Sequence, residues 1–405
     1  MIVLAKIALI VFALLFLIRL KWDLGLVLFL DTLLVAALFR MGPGALSRNI
    51  FQALIAAETL ELIGIVILVL YLGNFLQREG HFRTMVDALK NLVHDPRLIL
   101  AIPSAFIGLL PMTAGAMMGA PIVEEAAKRW DLSSAWKTFY NYWFRHIWEY
   151  SWPLYLNLIL ASAILRIPIK TLCLVQFPFT VIAAGTGLVV LFHKLPYVPK
   201  ESNNGRTWQN IAAVVLGIWP ILLTIILVFA FKMGMLLALA VSSLLTQIFT
   251  RLNFRERWAT VREGFSLRIA LLTVALMVFK RVLETSGALD AVGRVVDPHG
   301  PSAYILLFAA PFLVAVLTGV NQAFVTITFP LLVPIIGRDK PDVVLALFAY
   351  VSGFAGILLS PAHLCLALTA DYFKANLGDV YRILIGRVAV VFGAALLVLI
   401  LTRVF

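Results

Sequence analysis

Apolar residues fill long blocks along almost the whole chain, separated by short polar connections. The blocks fall at residues 2–20, 24–40, 51–77, 97–122, 138–165, 170–192, 209–231, 234–250, 267–286, 301–337, 342–373 and 383–403. A helix rises 1.5 Å per residue, so about 20 apolar residues cross a hydrocarbon core about 30 Å thick. The pattern therefore predicts an all-α polytopic membrane protein. Two stretches depart from it. The amphipathic QREGHFRTMVDALKNLVHDP, around residues 78–96, suits the membrane surface better than its interior. The most polar connection, HKLPYVPKESNNGRTW at 193–208, has the composition of a cytoplasmic linker between two halves.

The two halves, 1–192 and 209–405, carry similar patterns. A shift of 208 positions places Pro103 on Pro311, Pro153 on Pro361 and Thr113 on Asn321. The order of short spans, longer span, amphipathic piece, Gly-rich stretch, interrupted span and final span also repeats. The Gly-rich stretches are GLLPMTAGAMMGAPIVEE (108–125) and VLTGVNQAFVTITFPLLVP (316–334). Each turns at Gly, Thr or Asn with Pro close by, as a re-entrant hairpin does, predicted over about 97–122 and 301–337. A plain kinked helix, or close helix packing through Gly115 and Gly119, is the alternative. Five spans and one hairpin per half would make the second half inverted relative to the first.

Charge and composition sharpen this. Hydrophobic residues make up 62% and charged residues 13%, with mean hydropathy +0.99, too little charge to cover a soluble surface. The net charge of +12 sits in short loops and forms no basic face interleaved with aromatics, which argues against nucleic acid as a partner. Lys21, Arg78, Arg83, Lys90, Arg97, Lys128, Arg129, Lys194, Lys200, Arg206, Arg251, Arg255, Arg257 and Arg262 fall on one side under this topology, and Arg40, Arg48, Arg166, Lys170, Arg338 and Lys340 on the other. The richer side is expected in the cytoplasm of a cell whose inner membrane holds the chain, with both termini outside. The N-terminal block has no small-residue cleavage site and reads as a retained first helix. Cys173 and Cys365 exclude a disulfide framework or a Cys-rich metal site.

Candidate chemistry follows each Gly-rich stretch. In NYWFRHIWEYSWPLYLN (141–157), Arg145 and Glu149 are four apart and share a helix face, as do His146 and Tyr150. Pro153 removes a helix hydrogen bond and frees carbonyls near Glu149 and Ser151. The alternative is an interfacial belt of Trp143, Trp148, Tyr150 and Trp152, with Arg145 snorkelling. As one straight helix, residues 342–373 would be about 48 Å long, so a break is expected at Ser360-Pro361. Gly353 and Gly356 there would admit another segment closely. His363 is a proton carrier or a hydrogen-bonded polar residue; Asp371 and Lys374 read as a helix-end pair. Asp31, Glu58 and Glu61 also sit in apolar blocks, where an acid is a functional candidate. No Walker loop or Gly-x-Ser-x-Gly elbow occurs, and the His146-Ile-Trp-Glu149 half of a zinc motif lacks its second His. No enzyme activity is expected.

LLPMTAGAMMGAP followed by FRHIWEYSWPLY resembles the prokaryotic membrane family called domain of unknown function 401, over essentially the whole chain. That resemblance implies membership of the ion-transporter superfamily of secondary carriers, a homodimer, and elevator motion of a transport domain. The reading is an ion-coupled secondary transporter of a small anionic solute such as an organic carboxylate. A passive channel or an intramembrane enzyme stands as the alternative. Substrate contacts are expected from Thr113, Ala114, Gly115, Thr318, Gly319, Asn321, Ser151, Pro153, Ser360 and Pro361. The coupling ion, Na+ or H+, is expected at Thr113, Asn321 and Ser360 or at His146, Glu149 and His363, with no other cofactor.

Overall fold

The computed structural model describes residues 2–78, 81–109, 115–198, 207–249, 252–298 and 300–404. Thr113, Ala114 and linker positions 199–206 lie outside them. Among the described residues all regular structure is helical. Five helices are long and apolar enough to cross a membrane: Ala57–Leu76, Ile169–Lys194, Thr207–Phe229, Pro301–Thr318 and Leu377–Arg403. Leu174, Phe177, Val181, Leu216, Ile226, Leu397 and Ile400 on these helices stay exposed, and apolar outer faces of this kind fit a helical membrane protein.

The core is built from shorter, interrupted helices. Val343–Leu358 is buried continuously from Leu345 to Leu358, and Asn321–Ile336 is almost as enclosed. A helix that is apolar all round can only be satisfied in such a position. Gly353 and Gly356 allow the approach: a Cβ on Gly353 would collide with the Phe324 ring, and one on Gly356 would lie 2.5 Å from Phe312 O. The glycines at 115 and 119 serve the same purpose. A Cβ on Gly119 would strike the Asn141 side chain, and one on Gly115 would lie 2.8 Å from Arg145 Nε. Close packing through Gly115 and Gly119 is therefore present.

Helices Leu156–Leu165 and Ile169–Lys194 are echoed by Leu364–Tyr372 and Leu377–Val404, whose starts each lie 208 positions later. Packing is exchanged in the same sense. Gly115–Ala127 packs on Leu364–Tyr372, while Asn321–Ile336 packs on Leu156–Leu165. Leu267–Thr285 lies against Leu24–Leu38, and Ala57–Arg78 against Met235–Phe249. Polar helix ends are tied across the chain: Arg97 donates to Leu195 O (3.2 Å), Lys6 to Leu38 O (2.6 Å), and Arg268 pairs with Asp23 (2.6 Å).

Several expectations need correction. The block 51–77 holds two helices, Pro43–Ile55 and Ala57–Arg78, the first beginning well before the block. The first arm of the second Gly-turned element, Pro301–Thr318, has 18 residues and is itself long enough to cross, unlike the seven-residue Ile102–Gly108. The amphipathic helix His81–Leu92 turns Met85, Val86 and Leu89 inward against Thr207–Phe229, so protein covers its apolar face.

Candidate functional site

Three helix interruptions among the described residues bring the polar groups together. Helix Ser134–His146 gives way to a 3-10 turn, Ile147–Tyr150, and an irregular stretch before Leu156–Leu165. Pro153 sits in that stretch, where its missing N–H removes a helix bond. Val343–Leu358 stops, and the chain resumes as a helix only at Leu364, so the second break falls at Ser360-Pro361. Pro301–Thr318 ends on Gly319 in the left-handed region (φ 64°), and Asn321 opens the next helix. Only glycine fits there, because a Cβ would also run into the Ala362 backbone. Thr113 and Ala114 lie outside the described residues.

Breaks leave backbone carbonyls without helical partners, and buried carbonyls need donors. Aromatic side chains supply them. Trp148 Nε1 donates to Ala105 O (3.0 Å), Trp152 Nε1 to Leu109 O (3.0 Å) and Tyr155 OH to Gly108 O (2.5 Å), capping the end of Ile102–Gly108. Trp143 Nε1 donates to Ala183 O (2.8 Å), and Tyr150 packs edge-on against Phe354. Trp143 and Tyr150 are buried, whereas Trp148 and Trp152 are half-buried with their indole N–H groups on backbone carbonyls. Two tyrosines at the 208 spacing act reciprocally. Tyr350 OH donates to Glu149 O (2.8 Å) and accepts from Asn157 Nδ2 (2.6 Å), while Tyr142 OH reaches Leu358 O (3.3 Å) and Ile357 O (3.5 Å).

Inside this frame lies a buried ionisable cluster. Arg145 Nη1 is 3.9 Å from Glu149 Oε1, with both side chains at 5% exposure or less, so the four-residue spacing does place them together. Asn321 Nδ2, from the opposite half, donates to Glu149 Oε2. The Asn321 Oδ1 is buried without a partner among the described residues. His146 Nε2 stands 3.7 Å from Glu149 Oε1 and 3.2 Å from His363 Nε2. Burying a charged pair is costly unless each ion is matched and hydrogen-bonded. Arg145, Glu149 and Asn321 meet that condition in part: Asn321 hydrogen-bonds Glu149, while Arg145 stands 3.9 Å from the carboxylate, an ion-pair contact without a hydrogen bond.

The other expected residues fall around the cluster or away from it. Gly115 touches it through Arg145. Gly319 O accepts from His363 Nδ1 (2.8 Å). Thr318 Oγ1 bonds its own helix at Val314 O (2.7 Å) and accepts from Val320 N (3.3 Å). Ser360 Oγ ties the second break to Val316 O (2.7 Å). Ser151 turns away to share a hydrogen bond with Thr180 (2.8 Å), and Pro361 is exposed on the outer face. Asp31 is buried, with neither carboxylate oxygen partnered among the described residues, whereas Glu58 and Glu61 are exposed. Asp371 and Lys374 form an exposed helix-end pair (2.9 Å). Sequence reasoning missed Tyr142, Asn157, Tyr350 and Cys365. A search for identical polar residues at the 208 spacing would have found the two tyrosines.

The family model described as protein of unknown function, DUF401, matches residues 2–404. The chain belongs to the DUF401 family. No curated protein matches it. Within this DUF401 chain, FRHIWEYSWP supplies the cation, the acid and one imidazole of the cluster, together with two of the aromatic caps, Trp148 and Trp152.

Proposed function

We propose that the protein is an ion-coupled secondary transporter of a small anionic solute such as a carboxylate. The observation that carries this reading is the buried Arg145–Glu149–Asn321 cluster at the junction of helix breaks from both halves. A fixed guanidinium in a protein interior is a ready partner for a carboxylate, which it meets through two parallel N–H donors. The N-terminus of Gly115–Ala127 begins beside Arg145, and that of Asn321–Ile336 beside Glu149, so two helix dipoles point positive ends at the same place. Broken helices that offer free termini near mid-membrane suit carriers working by alternating access. The reciprocal packing and the 208-residue spacing support two inverted repeats with re-entrant elements. The loop charges support a cytoplasmic linker.

Purified protein in liposomes should take up a radiolabelled carboxylate saturably under an imposed Na+ or pH gradient and exchange it in counterflow. Asn321→Ala and Arg145→Gln should abolish uptake in variants that keep the wild-type elution profile. Current that does not saturate would make the protein a channel. Uptake unchanged in both variants would sink this site.

A further inference from the structure

His146 and His363, candidate proton carriers in the sequence, meet in a more specific arrangement. His146 Nδ1 lies 2.6 Å from Tyr142 O, and His363 Nδ1 lies 2.8 Å from Gly319 O. A carbonyl oxygen can only accept, so each Nδ1 carries the ring proton and each neutral ring presents a bare lone pair at Nε2. Those two Nε2 atoms face each other at 3.2 Å, with the side chains 1% and 7% exposed. Two lone pairs at that distance repel unless a positive centre lies between them. The rings cannot readily turn away. Tyr142 packs on His146 with centroids 4.4 Å apart, and the His363 backbone is pinned by the Gly319 turn and by Ser360 O (3.2 Å).

Cys365 completes the set. Its Sγ and the two imidazole ligand atoms all lie within 4.8 Å of one another, and Glu149 Oε1 is 3.7 Å from His146 Nε2. We propose that His146 Nε2, His363 Nε2 and Cys365 Sγ bind one transition-metal ion of the zinc class, with Glu149 or a solvent oxygen at the fourth position. Zinc–nitrogen bonds of about 2.0–2.1 Å at a tetrahedral angle put two ligand nitrogens about 3.3 Å apart, close to the spacing here. An imidazole that ligates through Nε2 usually donates its Nδ1–H to a carbonyl or carboxylate, which fixes the tautomer, and both rings already do so. Two nitrogens and a thiolate select a borderline ion over Na+, Mg2+ or Ca2+. On binding, the Cys365 thiol gives its proton to solvent and the sulfur–metal bond replaces the S–H bond. The ion would clamp the break after helix Ser134–His146 to the turn at Gly319, one from each half.

Cobalt is the probe, since Zn2+ is spectroscopically silent. Titration of the detergent-purified full chain with Co2+ should reach about one ion per chain, with tetrahedral visible bands and a thiolate-to-cobalt charge-transfer band. Zn2+ should displace the cobalt and raise the apparent melting temperature. Cys365→Ser should remove the charge-transfer band and weaken Zn2+ binding at least tenfold, whereas Cys173→Ser should leave both unchanged. His146→Gln with His363→Gln should abolish stoichiometric binding. If the double variant does not fold, the Cys365→Ser comparison decides alone. Failure to bind Co2+ or Zn2+, or binding unaltered in Cys365→Ser, would overturn the proposal, and a proton shared by the two rings would then be the positive centre. No gradient or solute enters the assay, so the result is independent of whether the protein transports an anion.

Discussion

The two reciprocal tyrosines allow a sharp test, because the same substitution should cost very different amounts at matched positions. Tyr350→Phe removes a hydroxyl that donates to Glu149 O at 2.8 Å and accepts from Asn157 Nδ2 at 2.6 Å. The ring contacts with Phe324 and Phe329 survive, so the loss is polar. Hydrogen bonds between membrane helices average about 0.6 kcal/mol and reach about 1.7. Leaving the buried Asn157 amide unsatisfied adds about 1–3 kcal/mol. Tyr350→Phe should therefore cost about 2–5 kcal/mol. Tyr142 OH shares one proton between carbonyls at 3.3 and 3.5 Å, at the limit of useful geometry. Tyr142→Phe should cost no more than about 1 kcal/mol. Unfolding of both variants in mixed detergent, followed by tryptophan fluorescence, gives the comparison. An equal cost, or a larger one for Tyr142→Phe, would refute the assignment of the tyrosines as caps on the breaks.

Four further outcomes are expected. Gly319→Ala combines a left-handed φ with a clash at the Ala362 backbone, so it should abolish folded yield on size exclusion, or at least lower the melting point more than any hydroxyl deletion. Tyr155→Phe and Trp152→Phe strip the carbonyls of Gly108 and Leu109 and should each cost about 1–2 kcal/mol, read as faster proteolysis near residue 110. Burial acts to raise Asp342, but the Arg403 hydrogen bond and the N–H groups of Leu345 and Val344 outweigh it and hold its carboxyl below the usual range. The folded value is depressed, so its stabilisation is present above the ordinary carboxylate value and is lost as pH falls through the folded one; the melting point of wild type should converge on that of Asp342→Ala in acid. Asp31→Leu replaces a buried, unpartnered carboxyl in an apolar wall and should raise the melting point or leave it unchanged; a large drop would mean that Asp31 has a partner.

Much of the architecture was legible because a bilayer constrains block length so strongly. The need to fit residues 342–373 into the core placed a break at Ser360-Pro361, and helix spacing joined Arg145 to Glu149. Contacts across the halves were not legible. His146 and His363 are 217 positions apart, and no periodicity within either helix reports the other. The aromatic segment was ambiguous for a related reason: Trp and Tyr suit a membrane interface and a buried carbonyl equally well, and the carbonyls at the end of Ile102–Gly108 that Trp148 and Trp152 meet cannot be read from the sequence.

The exchange of packing between the halves also sets the order in which the molecule can be made. Asn141 waits for Thr369, 228 positions on, and Gly115–Ala127 waits for Leu364–Tyr372. At a synthesis rate of about 5–20 residues per second, that interval lasts roughly 10–50 s. For most of it, the nascent first half stands in the membrane with Arg145 and Glu149 built but Asn321 and Tyr350 still unmade. Translation pace and the insertion machinery thus become partners of this fold, and a chain truncated anywhere before residue 364 is expected to be a substrate for membrane quality control rather than a smaller stable protein.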